Sequence, residues 1–257
     1  MVANTADTAK VKTTVDGVVR TVTLNRPEKR NALDREMLGA LEAAFSSPAA
    51  EERLAVVRAV GSVFCAGLDL KERSERPQGT SPIEAVLRAI EHYPLPVVAV
   101  VQGDAIAGGN ELALHCDLVI ASTTARFGMS LAQIGLAPSW FLAKKLLEVA
   151  GPVTTRRILL LGEPLPAQRL YDLGIVSHIA DPEDLDDVAE AVIARLADNA
   201  PLSLRAMKAL LLREMAFRDS IPHAELDRLV EEVRTSQDAR EGMAARLGRR
   251  KPSFTGR

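Results

Sequence analysis

Residues 10–25, "KVKTTVDGVVRTVTLN", form two β-rich runs on either side of Asp16-Gly17. That residue pair is favoured by type I′ turns, so the pattern predicts a hairpin. The period then changes. In "LDREMLGALEAAF", Met37, Leu38, Leu41, Ala44 and Phe45 recur at helical spacing behind Asp34, a candidate N-cap. "LAVVRAV" (54–60) and "LPVVAVVQG" (95–103) are short, nearly continuous apolar runs. Such runs predict strands buried on both faces. "SPIEAVLRAIEHY" (81–93) lies between them and has the helical period. After Gln102 a helix is expected from near Gly108 through His115, and "LVIAS" (118–122) is a further strand.

Strand and helix therefore alternate over short connections, which implies an α/β fold with largely parallel pairing. Beyond about residue 138 the character shifts. "PSWFLAKKLLEVAG", "PVTTRRILLLG" and "PAQRLYDLG" each read as a helix that stops at a glycine, at Gly151, Gly162 and Gly174. "IVSHIA" (175–180) is one more strand. From Asp181 onward the chain reads as helical, with Pro201 opening one long helix and the region from Ser220 forming another. The division this suggests is an α/β body over 1–198 and a helical region over 199–257.

Bulk properties narrow the class. The 257 residues are 47% hydrophobic and 26% charged, as in ordinary globular proteins. A formal net charge of −2 supplies no field for nucleic acid or an anionic membrane. No run of 18 apolar residues is present to span a bilayer. Cys65 and Cys116 show neither CxxC nor metal spacing and read as reduced core thiols, which fits a cytoplasmic protein. The opening "MVANTADTAK" lacks the apolar core of a signal peptide.

The candidate chemistry lies in "GDAIAGGNELAL" (103–114). Glycine weakens a helix interior by about 1 kcal/mol relative to alanine, yet Gly108 and Gly109 stand where this helix begins. The first N–H groups of a helix lack internal partners and carry partial positive charge. Glycine leaves them bare to a ligand, which suits an oxyanion or charge developing on a thioester or amide oxygen. Glu111, one turn in, could face the same ligand as a general acid or base. A plainer reading competes. Glutamate in a first helical turn is favoured by the dipole alone, and Gly-Gly serves tight packing. GxGxxG, the dinucleotide fingerprint, is absent. "SVFCAGLDL" (62–70) adds a second glycine-marked turn after a strand, so two N–H groups could converge.

"LNRPEKRNAL", "FCAGLDL" and "GDAIAGGNELALHCDLVIA", in this order and spacing, resemble the crotonase family of enoyl-CoA hydratases and isomerases. "FGMSLAQIGLAP", "LLLGEPLPAQRLYDLGIVSHI" and "EGMAARLGRRKPSF" extend the similarity over roughly residues 11–254. The resemblance implies an α/β spiral of ββα turns with a C-terminal helical region, assembled as a homotrimer or a dimer of trimers. It implies an acyl-CoA substrate whose thioester carbonyl is held by two backbone N–H groups, which fall on Ala66 and Gly108. Glu111 is then the acid/base. Coenzyme A is part of the substrate, and no separate cofactor, metal, nucleic acid or membrane is implied. The CoA-contacting segment falls on Glu28, Lys29, Arg30 and Ala32, with Gly67, Asp69 and Leu70 further on and Lys251 and Phe254 near the C-terminus. Lys29, Arg30 and Lys251 can neutralise phosphates, or be ordinary solvated charges.

The chain departs from the family at one position that matters. A second glutamate, with which typical hydratases hold water, would fall on Leu131. Leucine makes the pocket more apolar, which would raise the pKa of a nearby carboxylate and favour protonated Glu111 acting as an acid. Ser139 and Trp140 stand where some relatives carry a catalytic acid. Trp140 is either a pocket wall or helix packing beside Phe141. His115 reads as a satisfied buried histidine, and Cys65 as a small packing residue. The expectation is an enoyl-CoA hydratase with Glu111 as sole acid/base. The alternatives are an isomerase or acyl-CoA hydrolase on the same scaffold, or a non-catalytic acyl-CoA binding protein. Leu210, Leu211, Leu226 and Val230 are the expected subunit contacts.

Overall fold

The computed structural model describes residues 8–74 and 83–257. The signal-peptide reading of the first residues, and the start of the helix read over 81–93, lie partly outside them. The elements run β1 (Val11–Asp16), β2 (Val19–Leu24), α1 (Arg35–Ala44), β3 (Leu54–Ala59), β4 (Val63–Cys65), α2 (Leu70–Ser74), α3 (Glu84–Glu91), β5 (Val97–Val101), β6 (Asp104–Ile106) and α4 (Gly108–Leu114). They continue with β7 (Leu118–Ser122), β8 (Arg126–Gly128), α5 (Trp140–Arg156), β9 (Leu165–Pro166), α6 (Ala167–Asp172), β10 (His178–Ala180), α7 (Leu185–Asp198), α8 (Pro201–Met215), α9 (Ala224–Thr235) and α10 (Gln237–Leu247).

Two sheets organise the body. The larger has the order β1-β2-β3-β5-β7-β10; only the β1–β2 hairpin is antiparallel. The smaller has the order β4-β6-β8-β9, with β4, β6 and β8 parallel. Each short strand follows a long one in sequence: β3 then β4, β5 then β6, β7 then β8. Helices come next, so the chain winds as a spiral of ββα turns. The apolar strands are buried on both faces as expected. Ala55, Val57, Val97, Ala99 and Val101 face the main core, beneath α1, α3 and α4. Leu54, Val56, Val98, Val100 and Ile120 face a second core closed by α7, through Leu185 and Ala189. Full burial of each valine, leucine or isoleucine among these stabilises the fold by about 1.5–3 kcal/mol.

Local capping follows the sequence in several places. Asp34 accepts a hydrogen bond from the Met37 N–H at 3.0 Å and starts α1. Pro201 opens α8, and Gly162 and Gly174 adopt left-handed backbone after their helical segments. Gly151 differs: α5 runs across it with a kink at φ 66°, ψ 171°, beside Pro152, and a π-helical turn at Arg157–Leu161 follows. The hairpin turn is not type I′. Its central residues are Gly17 and Val18, and of these only Gly17 has positive φ, whereas type I′ needs both. The region after Ser220 is two helices rather than one. Ser236 separates them and caps α10 by accepting from the Ala239 N–H at 2.9 Å. The α10 helix packs closely on residues 131–136. A β-carbon on Gly135 would lie 2.4 Å from the Asp238 carbonyl oxygen, and one on Gly242 would lie 2.3 Å from the Ile134 carbonyl carbon. This contact carries Leu131 against the body.

Candidate active site

The two glycine-marked turns meet. The first leaves β4 at Cys65 and the second leaves β6 at Ile106, and these strands are parallel neighbours. A β-carbon on Gly67 (φ +93°) would lie 3.1 Å from the Gly108 amide nitrogen. One on Gly108 would lie 3.5 Å from the Leu68 amide nitrogen and 2.9 Å from Ile83 Cδ1. Glycine is therefore required at both positions by close approach. Gly109 has a separate reason, because a β-carbon there would lie 2.1 Å from the Cys65 carbonyl oxygen. The packing explanation holds for Gly109, and the exposed-amide explanation fits Gly108. Between strand and helix, Ala107 has φ 51° and ψ −116°. A residue with a β-carbon held in such sparsely populated backbone is strained, and strain of this kind clusters at functional sites.

The first expected donor is corrected. The Ala66 N–H is already bound to the Arg30 carbonyl at 3.0 Å, so it cannot serve a ligand. Leu68 is in a parallel bridge with Leu33. The Leu33 N–H donates to Gly67 O at 2.8 Å, and the Asp69 N–H donates to Leu33 O at 2.9 Å. That ladder leaves the Leu68 N–H pointing away from Leu33. Among the described residues neither the Leu68 N–H nor the Gly108 N–H has an acceptor. The bare pair is thus Leu68 and Gly108.

Glu111 follows one turn into α4, a helix whose seven residues are all buried. Its Oε1 is sealed from solvent and has no protein partner among the described residues. Burial, followed by the nearby Glu84 carboxylate, raises its pKa from 4.5 to about 8, while Arg73 opposes the shift. The carboxyl is therefore mostly protonated at neutral pH. The direction matches the expectation built on Leu131, and the leading cause is loss of solvation on burial.

A cleft of about 880 Å³ opens over these groups. Of the expected contact residues it brings together Lys29, Arg30, Ala32, Asp69, Leu70, Leu131, Gly108 and Glu111, with Ala66 in its wall. Asp69 is structurally engaged as well. Burial would raise its pKa, but the Arg26 hydrogen bond at 2.9 Å and the Glu72 and Lys71 N–H groups hold it low. Lys251 and Phe254 line an adjoining space of about 840 Å³ that shares Arg30 and Leu70 with the cleft. Glu28 and Trp140 line neither space. The Glu28 side chain is largely exposed, 3.9 Å from Arg26. Trp140 stacks on His223, with ring centroids 4.6 Å apart and an interplanar angle of 20°, so its packing reading holds. Ser139 caps α5. Sequence reasoning missed Leu68, and it missed that His115 is only half satisfied: Nδ1 is bonded to the Glu111 carbonyl, while Nε2 has no protein partner. Cys65 is buried with its thiol pKa pushed up to about 12 by burial, as suits a packing residue.

The fold and this meeting of two turns define a crotonase-like protein. A family model described as enoyl-CoA hydratase/isomerase matches residues 14–257, and the chain belongs to that family. It is 32% identical to 1,2-epoxyphenylacetyl-CoA isomerase of Escherichia coli (strain K12), over 95% of this chain and 97% of that one. It is 33% identical to (E)-benzylidenesuccinyl-CoA hydratase of Thauera aromatica, over 94% and 97%. Among solved structures it is similar to methylmalonyl-CoA decarboxylase complexed with 2S-carboxypropyl-CoA, with TM-score 0.88 and 27% identity, covering 96% of this chain and 98% of that one.

Proposed function

We propose that this protein adds water to a 2-enoyl-CoA thioester, with Glu111 as its sole acid/base. The carrying observation is the sealed, high-pKa carboxyl of Glu111 beside two unoccupied amides. The thioester oxygen accepts from the Leu68 and Gly108 N–H groups, which stabilise the negative charge that develops as water attacks. Protonated Glu111 gives its proton to the α-carbon, and the same oxygen, now ionised, takes a proton from the water that bonds to the β-carbon. The carboxyl ends as it began, and no separate cofactor enters. Lys29, Arg30 and Lys251 are positioned on the cleft and its neighbour to meet the phosphates of coenzyme A.

A second reading has its own support. Among the described residues, Asp69 and Asp104 are the other cleft carboxylates; they are bound to Arg26 and Arg126, and Leu131 supplies no acid. One protonated carboxyl is enough to move a proton between carbons, which is isomerisation. The exposed apolar residues Leu202, Met207, Leu210 and Leu211 on α8 support assembly as a homotrimer or a dimer of trimers.

The test follows enoyl-thioester absorbance with crotonyl-CoA. Wild type should consume it, and Glu111→Gln should be slower by about 10²–10⁴-fold. A variant with full activity overturns the reading. A 3-enoyl-CoA that gains this absorbance favours isomerisation, and tight binding with neither change favours a binding protein.

A further inference from the structure

Beside the cleft, sharing Glu111, Met129, Pro138 and Leu142 with it, is a much smaller recess with about 10 Å³ of free space, the lower end of what one water molecule fills. Asn110 and Glu111 of α4 and its C-terminal cap His115 line it, and Leu142, Lys145 and Leu146 of α5 close it. Four polar atoms here have no protein partner among the described residues: Asn110 Oδ1 and Nδ2, Glu111 Oε1 and His115 Nε2. Their residues are 0%, 7% and 3% exposed. Lys145 Nζ is bound to Glu91 at 2.7 Å and makes no hydrogen bond to any of the four.

The hydrogen positions follow from the chemistry. His115 Nδ1 lies 2.8 Å from the Glu111 carbonyl oxygen, which only accepts, so Nδ1 carries the proton. Burial, then Lys145, lowers the His115 pKa to about 4, so the ring is neutral and Nε2 presents a lone pair. Buried groups of this kind are ordinarily satisfied by water when protein supplies no partner.

We propose that Asn110 and His115 bind one water molecule against the buried Oε1 of Glu111, and that this water positions the acid/base group. The water accepts from Asn110 Nδ2 and donates to His115 Nε2 and Glu111 Oε1. Fixing the buried Oε1 leaves the other carboxyl oxygen for the cleft. Asn110 and His115 are thereby positioning residues, and this role rests on the acid/base reading of Glu111 given above. The charged and titratable groups facing Glu111 are Glu84 of α3, Arg73 of α2, His115 of its own helix and Lys145 of α5. The water is a donor that favours the ionised carboxyl, so its loss raises the Glu111 pKa further.

The experiment uses the full-length protein. A high-resolution crystal structure should show an ordered water within hydrogen-bond reach of the three side chains. Carboxyl ¹³C titration of Glu111 should move upward by about one pH unit in Asn110→Leu and in His115→Phe. In both variants kcat should fall about tenfold with KM held within about twofold, and His115→Gln should recover much of the loss. A dry recess overturns the proposal, and so does an ordered water with an unmoved Glu111 midpoint. If a variant fails to fold, the wild-type density and the other variant decide. Should the midpoint move while wild type turns over no enoyl-CoA, the functional reading fails and the water site stands.

Discussion

Helices α4 and α8 each bury one ionisable side chain, and they treat it in opposite ways. Lys208 is the buried residue of α8, and its Nζ is fully met: Asp117 Oδ2 at 2.7 Å, Leu95 O at 3.1 Å and Ile90 O at 3.5 Å. Asp117 also accepts from the Val97 N–H at 2.7 Å, so the lysine ties α8 to the start of β5. Glu111 of α4 is equally enclosed, yet its Oε1 has no protein partner. A buried ion that is satisfied acts as a clamp. A buried acid that is left unsatisfied stays protonated, and it is available for proton transfer.

Glu111→Gln breaks this contrast most severely. Besides the activity loss already stated, it should gain stability at alkaline pH. The sign follows from the raised pKa. Between the ordinary 4.5 and about 8 the folded protein holds this proton more tightly than the unfolded chain. Stability from Glu111 is complete below about 4.5 and declines as pH climbs through about 8. The variant lacks that slope, so its advantage over wild type should reach roughly 3–5 kcal/mol near pH 9 and vanish near pH 4. Urea melts at both pH values measure it, and parallel curves at every pH would remove the case for an elevated Glu111.

Asp117→Ala tests the other side. It strands Lys208, and removing one partner of a buried pair costs about 3–5 kcal/mol. The Asp117 side chain is 33% exposed, so the low end, about 3 kcal/mol, is expected. Lys208→Met, which removes the buried charge itself, should cost less. Equal losses for the two variants would mean that the clamp is ordinary packing.

How far this contrast was legible depends on which atoms had to be known. The long elements were readable because Met37, Leu41 and the two-faced runs of β3 and β5 carry their period in the chain. The strands β4, β6, β8 and β9 are two or three residues long, too short to show a period. The sequence marked the right turn at "CAGL" but not the right amide. Gly67 at φ +93° redirects the backbone, and whether Ala66 or Leu68 keeps a bare N–H depends on Arg30 and Leu33, some 35 residues earlier. Trp140 was ambiguous for the same reason, since its partner His223 comes from the C-terminal region. Pairing is a property of the folded chain, and it is pairing that separates Glu111 from Lys208.

The smallest effect on the protomer belongs to the outer face of α8, opposite the clamp. Leu210 and Leu211 are 64% and 68% exposed, with Met207 and Leu202 also open. Replacing exposed leucines changes a protomer's own stability by only about 0.5 kcal/mol. Leu210→Asp with Leu211→Asp should therefore leave the unimolecular part of the melt almost unmoved, while a charge pair set into an apolar contact should split the proposed trimer. Light scattering separates the two, because mass reports assembly and the melt reports the protomer. A wild type that is already a monomer at working concentration, or a double variant that keeps wild-type mass, would mean that these leucines do not hold copies of the chain together. In either case the lysine beneath them would anchor α8 for the protomer's sake alone.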